Sequence, residues 1–282
     1  MTNYHSNIAG HFNRISLNVT QLNEITDFYV LMIGMSVISR SDSHVILGVE
    51  NRVLLTLYQS DSTQRNTGLY HFALLLPDRQ SLAIILLHLV KHNIPLQGAS
   101  DHIISEAIYL SDPEGNGIEI VVDRDSSFWP FEYGKLNILG QNGPLDVNNL
   151  LLEVDRDVSF EHLPNQTIVG HVHIHVHSIE KSRKFYENIF NMKTTIDIPK
   201  RALFLANNNY HHHLAMNLWK HHEHVNQTLS NLGLNTLYYK LPKSYSLESL
   251  IEILKTYHYP FDTLKEGISL FDPANIHLFI SK

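Results

Sequence analysis

One register of an internal repeat holds Arg14, His71, His171 and Thr236, and two of these four side chains can bind a metal. The first copy reads R-I-S-L-N-V from Arg14 and the third H-V-H-I-H-V from His171; the same 157-residue offset relates Phe28-Tyr29 to Phe185-Tyr186. The second reads H-F-A-L-L-L-P from His71 and the fourth T-L-Y-Y-K-L-P from Thr236, offset by 165. Such partial retention is what one mononuclear centre shared by two repeats requires. Glu119 adds a carboxylate between Ile118 and Ile120, in a strand that reads as buried, where a lone charge is costly without a cation beside it. Two histidines and one carboxylate on one face of an ion leave adjacent positions for a two-oxygen ligand and for dioxygen, as in the facial triad of non-haem Fe(II) oxygenases. Mn(II) is the alternative occupant of the same nitrogen and oxygen donors. His173 and His175 alternate onto the strand face of His171, so either replaces it as ligand if the register slips.

The elements that must position these residues recur four times. Each copy begins with a period-two strand such as residues 15–19, continues into an amphipathic helix such as 178–190, and ends in short strand-like runs. In the second copy these runs are 107–110 and 118–122, joined by the turn Asp112-Pro113-Glu114-Gly115-Asn116-Gly117. The spacing predicts βαβββ modules at about 9–60, 67–124, 168–220 and 231–282. Two domains are expected, 1–124 and 167–282, with a linker at 125–166 that includes a short helix at 146–153.

Composition narrows the class further. The 282 residues are 43% apolar, enough for substantial cores, and the net charge of −7 comes with no basic cluster, which argues against nucleic acid as a partner. The first residues lack the basic start and apolar run of a secretory signal, and the longest apolar stretch is broken by His88, so no membrane association and a cytoplasmic location are expected. With no cysteine, any metal must use nitrogen and oxygen donors, which twenty histidines supply in abundance. A homo-oligomer is compatible with all of this.

Three segments, G-H-V-H-I-H-V at 170–176, F-L-A-N-N-N-Y-H-H-H-L-A at 204–215 and H-I-I-S-E-A-I-Y-L-S-D-P-E-G-N-G-I-E at 102–119, carry a family resemblance. The chain resembles the vicinal oxygen chelate superfamily (glyoxalase, bleomycin resistance and extradiol dioxygenase proteins). Within it, the chain is similar to the two-domain catechol-2,3-dioxygenase-like proteins of Gram-positive bacteria. The resemblance covers nearly the whole chain and implies an α+β fold in which paired modules form cupped mixed sheets. It also implies an Fe(II)-dependent extradiol dioxygenase acting on a small aromatic diol and O2, with His71, His171 and Glu119 as iron ligands. His212 matches the acid/base histidine, Tyr109 the tyrosine that hydrogen-bonds the substrate oxygen, and His102 a histidine behind it, two residues short of the usual spacing to the Asp-Pro turn. A histidine with an ordinary value near 6.5 can accept a catechol proton and return one later near neutral pH. His211 and His213 would then face away from the pocket. The bland alternative makes all three part of a histidine-rich surface continuing at His221, His222 and His224. A glyoxalase-type isomerase or lyase, which commonly adds a second carboxylate ligand where His212 stands, and a non-catalytic aromatic-binding protein are the rival functions.

In the family's better-known members the third and fourth modules hold the site. Here Thr236 replaces the fourth module's histidine, and its glutamate position falls on Phe279 or His277. One complete site therefore requires modules 2 and 3 to pair, within or between subunits, leaving 1 and 4 to form an empty pseudo-site.

Overall fold

Apolar residues at every second position build the strands: Ile15, Leu17 and Val19 are fully buried, as are Phe72 and Leu74 in the second copy, and Ser16, Asn18 and Ala73 between them are buried on the other face. The computed structural model describes residues 3–220 and 228–282. Module 1 comprises β1 (His11–Val19), α1 (Leu22–Asp27), β2 (Ser36–Arg40), β3 (His44–Val49) and β4 (Arg52–Gln59). Module 2 comprises β5 (Leu69–Leu76), α2 (Arg79–Lys91), β6 (Gly98–Asp101), β7 (Ser105–Ser111) and β8 (Gly117–Asp123). The connecting segment carries β9 (Phe131–Glu132), β10 (Lys135–Leu136), β11 (Gly143–Pro144) and the short helix α3 (Val147–Leu150). Module 3 comprises β12 (Ile168–His175), α4 (Ile179–Phe190), β13 (Lys193–Ile198), β14 (Ala202–Ala206) and β15 (Leu214–Asn217). Module 4 comprises β16 (Gly233–Lys240), α5 (Leu247–Thr256), β17 (Asp262–Leu264), β18 (Gly267–Phe271) and β19 (His277–Ser281). Local signals set the helix ends: Ser178 accepts from the Lys181 amide at the start of α4, and Asn191 ends it in the left-handed conformation.

The modules pair across the halves of the chain. One sheet runs β17-β18-β19-β16-β1-β4-β3-β2, uniting modules 4 and 1, and the other runs β11-β6-β7-β8-β5-β12-β15-β14-β13, uniting modules 2 and 3. Antiparallel contacts β1–β16 and β5–β12 make these joints, whereas the first and last strands of each module lie parallel, as in β5–β8 and β12–β15. This is the expected α+β arrangement of cupped mixed sheets, with the 2+3 pairing formed within a single chain.

The sheets share one continuous apolar core. Two related hydrogen bonds tie them together. The Tyr29 hydroxyl donates to Asp112 across modules 1 and 2 at 3.1 Å, and the Tyr186 hydroxyl donates to Asp272 across modules 3 and 4 at 2.8 Å. Among the described residues, no helix is long and apolar enough to cross a membrane.

Candidate metal centre and its cavity

His71 on β5, Glu119 on β8 and His171 on β12 converge because these three strands are neighbours in one sheet. Nε2 of His71 lies 2.9 Å and Nε2 of His171 2.8 Å from the same oxygen, Glu119 Oε2. A strand irregularity in β12 between Val169 and Val172 contains His171 and lets it reach this point although His71 pairs directly with His173. All three side chains are buried, and they form the only such group of potential metal ligands among the described residues.

The donor set fits a divalent ion. Ligands bonded at about 2.1 Å and at right angles stand roughly 3 Å apart, close to the two spacings observed. Burial opposes charge on Glu119, but His171 and His71 outweigh it and hold the carboxyl well below its usual range. Burial also pushes His71 below its ordinary value despite the carboxylate beside it. A neutral imidazole and an ionised carboxylate are the forms that bind metal.

The turn before β8 aims Glu119. Asp112 accepts from the Glu114 and Asn116 amides, Gly115 takes a positive φ of 82°, and a Cβ on Gly117 would stand 2.0 Å from the Tyr70 carbonyl oxygen. The second carboxylate oxygen is held from β7: His102 Nε2 lies 2.7 Å from the Tyr109 hydroxyl, which donates to Glu119 Oε1 at 2.8 Å. Burial and Glu119 push the Tyr109 hydroxyl upward, so it stays protonated and able to donate. Tyr109 is thus engaged with the carboxylate while it also lines the cavity.

His173 and His175 are occupied elsewhere, since one amide serves both. Asn217 donates Nδ2 to His173 Nε2 at 2.9 Å and accepts from His175 Nδ1 at 2.7 Å. His173 still lines the cavity, but its Nε2 lone pair is used.

Of the histidine triplet only His212 lines the cavity, and strand alternation is not what selects it. Residues 211–213 form a bend before β15 instead of alternating along a strand, so His211 does not turn away from His212. The ring of His212 lies 4.1 Å from that of His171 and borders the cavity. Its Nδ1 meets His211 Nδ1 at 2.8 Å, and His211 Nε2 meets Asp123 Oδ1 at 2.9 Å. With the Asp123 oxygen as acceptor, His211 donates to it through Nε2 and accepts from Nδ1–H of His212. That order leaves His212 Nε2 without a proton. Burial, together with His171 and His211, pushes His212 well below its ordinary value and keeps this basic form neutral. His213 is fixed by the Tyr4 carbonyl and the Asn207 amide. The run His221, His222, Glu223 and His224 lies outside the described residues.

Around the triad is a cavity of about 530 Å³ whose walls include Ile104, Leu110, Ile196, Phe204 and Trp219. Ile138, Leu139 and Asn142 from the connecting segment close another side, with Trp129 and Leu136 packing that segment against Ile104, Ile196 and Tyr210. Sequence reasoning missed Asp123, Trp219 and this connecting wall. Asp123 ends the strand of Glu119, four residues on and therefore on the same side, a parity that could have singled it out.

A model of the Glyoxalase/Bleomycin resistance protein/Dioxygenase superfamily matches residues 11–120 and 168–264. The chain is 33% identical to a protein of Bacillus subtilis (strain 168) named Catechol-2,3-dioxygenase, over 98% of this chain and 97% of that protein. Its fold is similar to a structure from Bacillus subtilis subsp. subtilis str. 168, with a TM-score of 0.66 at 14% identity, covering 97% of this chain and 85% of the other. Glyoxalase I from Zea mays gives a TM-score of 0.59 at 14% identity, covering 100% and 95%.

Proposed function

Because the chain belongs to the Glyoxalase/Bleomycin resistance protein/Dioxygenase superfamily, we propose that it is an Fe(II)-dependent extradiol dioxygenase that opens a catechol ring beside its two hydroxyls and incorporates both atoms of O2. The observation that carries this reading is the convergence of His71, His171 and Glu119 beside His212 in one buried cavity. The relative named Catechol-2,3-dioxygenase supports it at 33% identity.

In this reading His71, His171 and Glu119 hold iron, with Mn(II) as the alternative. The bound metal supplies the redox chemistry that lets a catechol react with O2. His212 takes a hydroxyl proton from the catechol on Nε2 and returns it later; Asp123 and His211 keep Nδ1 of His212 as the donor end. Tyr109 and His102 fix the carboxylate and border the place where the diol oxygens arrive. Ile104, Ile196, Phe204 and Trp219 give the ring an apolar seat that excludes water. No lysine or arginine lines the cavity, so the preferred catechol carries an uncharged substituent. Among the described residues Glu119 is also the only carboxylate there, which disfavours a lyase needing a second carboxylate ligand.

Protein loaded anaerobically with Fe(II) should consume one O2 per catechol and form a yellow ring-opened product, faster with 4-methylcatechol than with 3,4-dihydroxyphenylacetate. The Glu119→Gln and His171→Ala variants should lose both metal and turnover. Isomerisation of a hemithioacetal without catechol cleavage would move the chain to the glyoxalase reading. Tight catechol binding without O2 uptake by metal-loaded protein would make it a binding protein.

A further inference from the structure

The second cup has lost all three potential metal ligands and gained a positive charge at one of their positions. By the repeat offset Arg14 stands where His171 stands, and Thr236 where His71 stands. Strand register settles the third position. In the metal cup Ala73 pairs with Glu119; the residue corresponding to Ala73 is Tyr238, and it pairs with Phe279. Phe279 therefore replaces the carboxylate. Thr236 and His277 are turned to each other, with His277 Nδ1 at 2.8 Å from the threonine hydroxyl and its Nε2 accepting from Ser269.

What remains open is a cavity of about 460 Å³ beside Arg14, Phe279, Tyr238, Lys240, Arg52 and His11. The Arg14 guanidinium lies 3.8 Å over the Tyr238 ring, which holds it in place without neutralising it. Arg52 donates to the Asn165 and Thr167 carbonyls, which orient its group but leave its charge uncompensated. Among the described residues none of the three cations forms an ion pair; the single acid on the wall, Glu266, lies beyond salt-bridge distance of them. Three uncompensated cations around one cavity in a chain of net charge −7 run against the overall balance, and their mutual repulsion is relieved by an anion. The volume is that of an organic ligand, and the rings of Phe279 and Tyr238 offer apolar contact.

We propose that the module 1 and 4 cup is a binding site for a small organic anion carrying carboxylate or phosphate groups on a planar apolar body, held by Arg14, Arg52 and Lys240. It is separate from the metal cavity, which none of Arg14, Arg52, Lys240, Tyr238, Phe279 and His11 borders. Of the three positions that hold potential metal ligands in one cup, the one at Arg14 carries a cation in the other, and Arg52 and Lys240 add to it.

Isophthalate and phenyl phosphate, which carry the two anion types on a ring, test the proposal by isothermal titration calorimetry, with benzyl alcohol as the neutral control. At least one anion should bind one site per chain with Kd below about 1 mM, and the stronger of the two identifies carboxylate or phosphate. Lys240→Gln and Arg14→Gln should each weaken it about tenfold or more, since each removes a charge-assisted partner, while metal content and melting temperature stay near the parent's. Lys240 makes no side-chain hydrogen bond or ion pair among the described contacts, so its variant decides the matter even if Arg14→Gln fails to fold. Absence of binding by both anions, equal binding of benzyl alcohol, or unchanged affinity in Lys240→Gln overturns the proposal.

Discussion

At the scale of residues, the site depends on proton placement as much as on ligand placement. The chain from Asp123 through His211 to His212 has one consistent direction, with every donor facing an acceptor, and its outer end is a bare imidazole nitrogen. Replacing His212 by Phe should leave metal content intact and cut per-metal turnover of catechol by roughly 10²–10⁴-fold, the range for a positioned acid/base. Asp123→Ala removes the group that orients the pair, together with the acceptor of the buried Tyr210 hydroxyl, and a loss of about 10–100-fold is expected. Because both act through one nitrogen, the double variant should be no slower than His212→Phe alone. A further multiplicative loss would show Asp123 working by another route. Loss of metal in His212→Phe would place that ring among the ligands.

Elements act on the site through two short connections. The turn at 112–117 delivers Glu119, and the tight approach of β5 and β8 at Gly117 leaves no room for a methyl group. Gly115 differs, because a Cβ there meets nothing within 4 Å and the only obstacle is its positive φ. Gly115→Ala should therefore cost about 1–2 kcal/mol in urea denaturation and leave metal affinity nearly unchanged. Gly117→Ala should cost more and also weaken metal binding, since β8 must move away from β5. The opposite ranking would mean that the turn backbone, and not strand spacing, positions the carboxylate. The connecting segment matters for a different reason: it forms a wall of the cavity, and its small cluster around Trp129, Leu136 and Ile138 is what seats it there.

At the scale of the whole molecule, the exchange of modules between halves makes each sheet depend on both ends of the chain. Tyr186 and Asp272 tie the sheets together inside the core. Burial raises the Asp272 carboxyl to about 6, against the lowering effect of the Ile276 amide, the Tyr186 hydroxyl and the Ala274 amide. A folded-state value above the unfolded one means that the native protein holds the extra proton. Its contribution is fully present below about 4 and is lost as pH rises towards 6, a fall of roughly 3 kcal/mol for this group. Asp272→Asn cannot titrate, so the stability advantage of the parent over this variant should shrink by a few kcal/mol between pH 4 and 6.5 in paired urea titrations. A constant difference would show that Asp272 is ionised in the fold throughout.

Much of this protein is written into local pattern. Repeat register, strand parity and the Asp-Pro turn are properties of neighbouring residues, so His71, Glu119 and His171 could be singled out, and the missing ligands at Arg14 and Thr236 pointed to the 2+3 and 1+4 pairing before any coordinates. Amphipathic periodicity likewise placed a helix at 178–190, within a residue of its observed start at Ile179. Tertiary structure decided whatever depends on contacts between distant segments. It chose Phe279 over His277 as the counterpart of Glu119 through interstrand register, and it occupied His173 and His175 with the amide of Asn217. It also bent residues 211–213 so that His211 joins His212 to Asp123. Alternation assumes an extended chain, and in this segment the contacts of His211 with Asp123 and of His213 with Tyr4 outweigh that local preference.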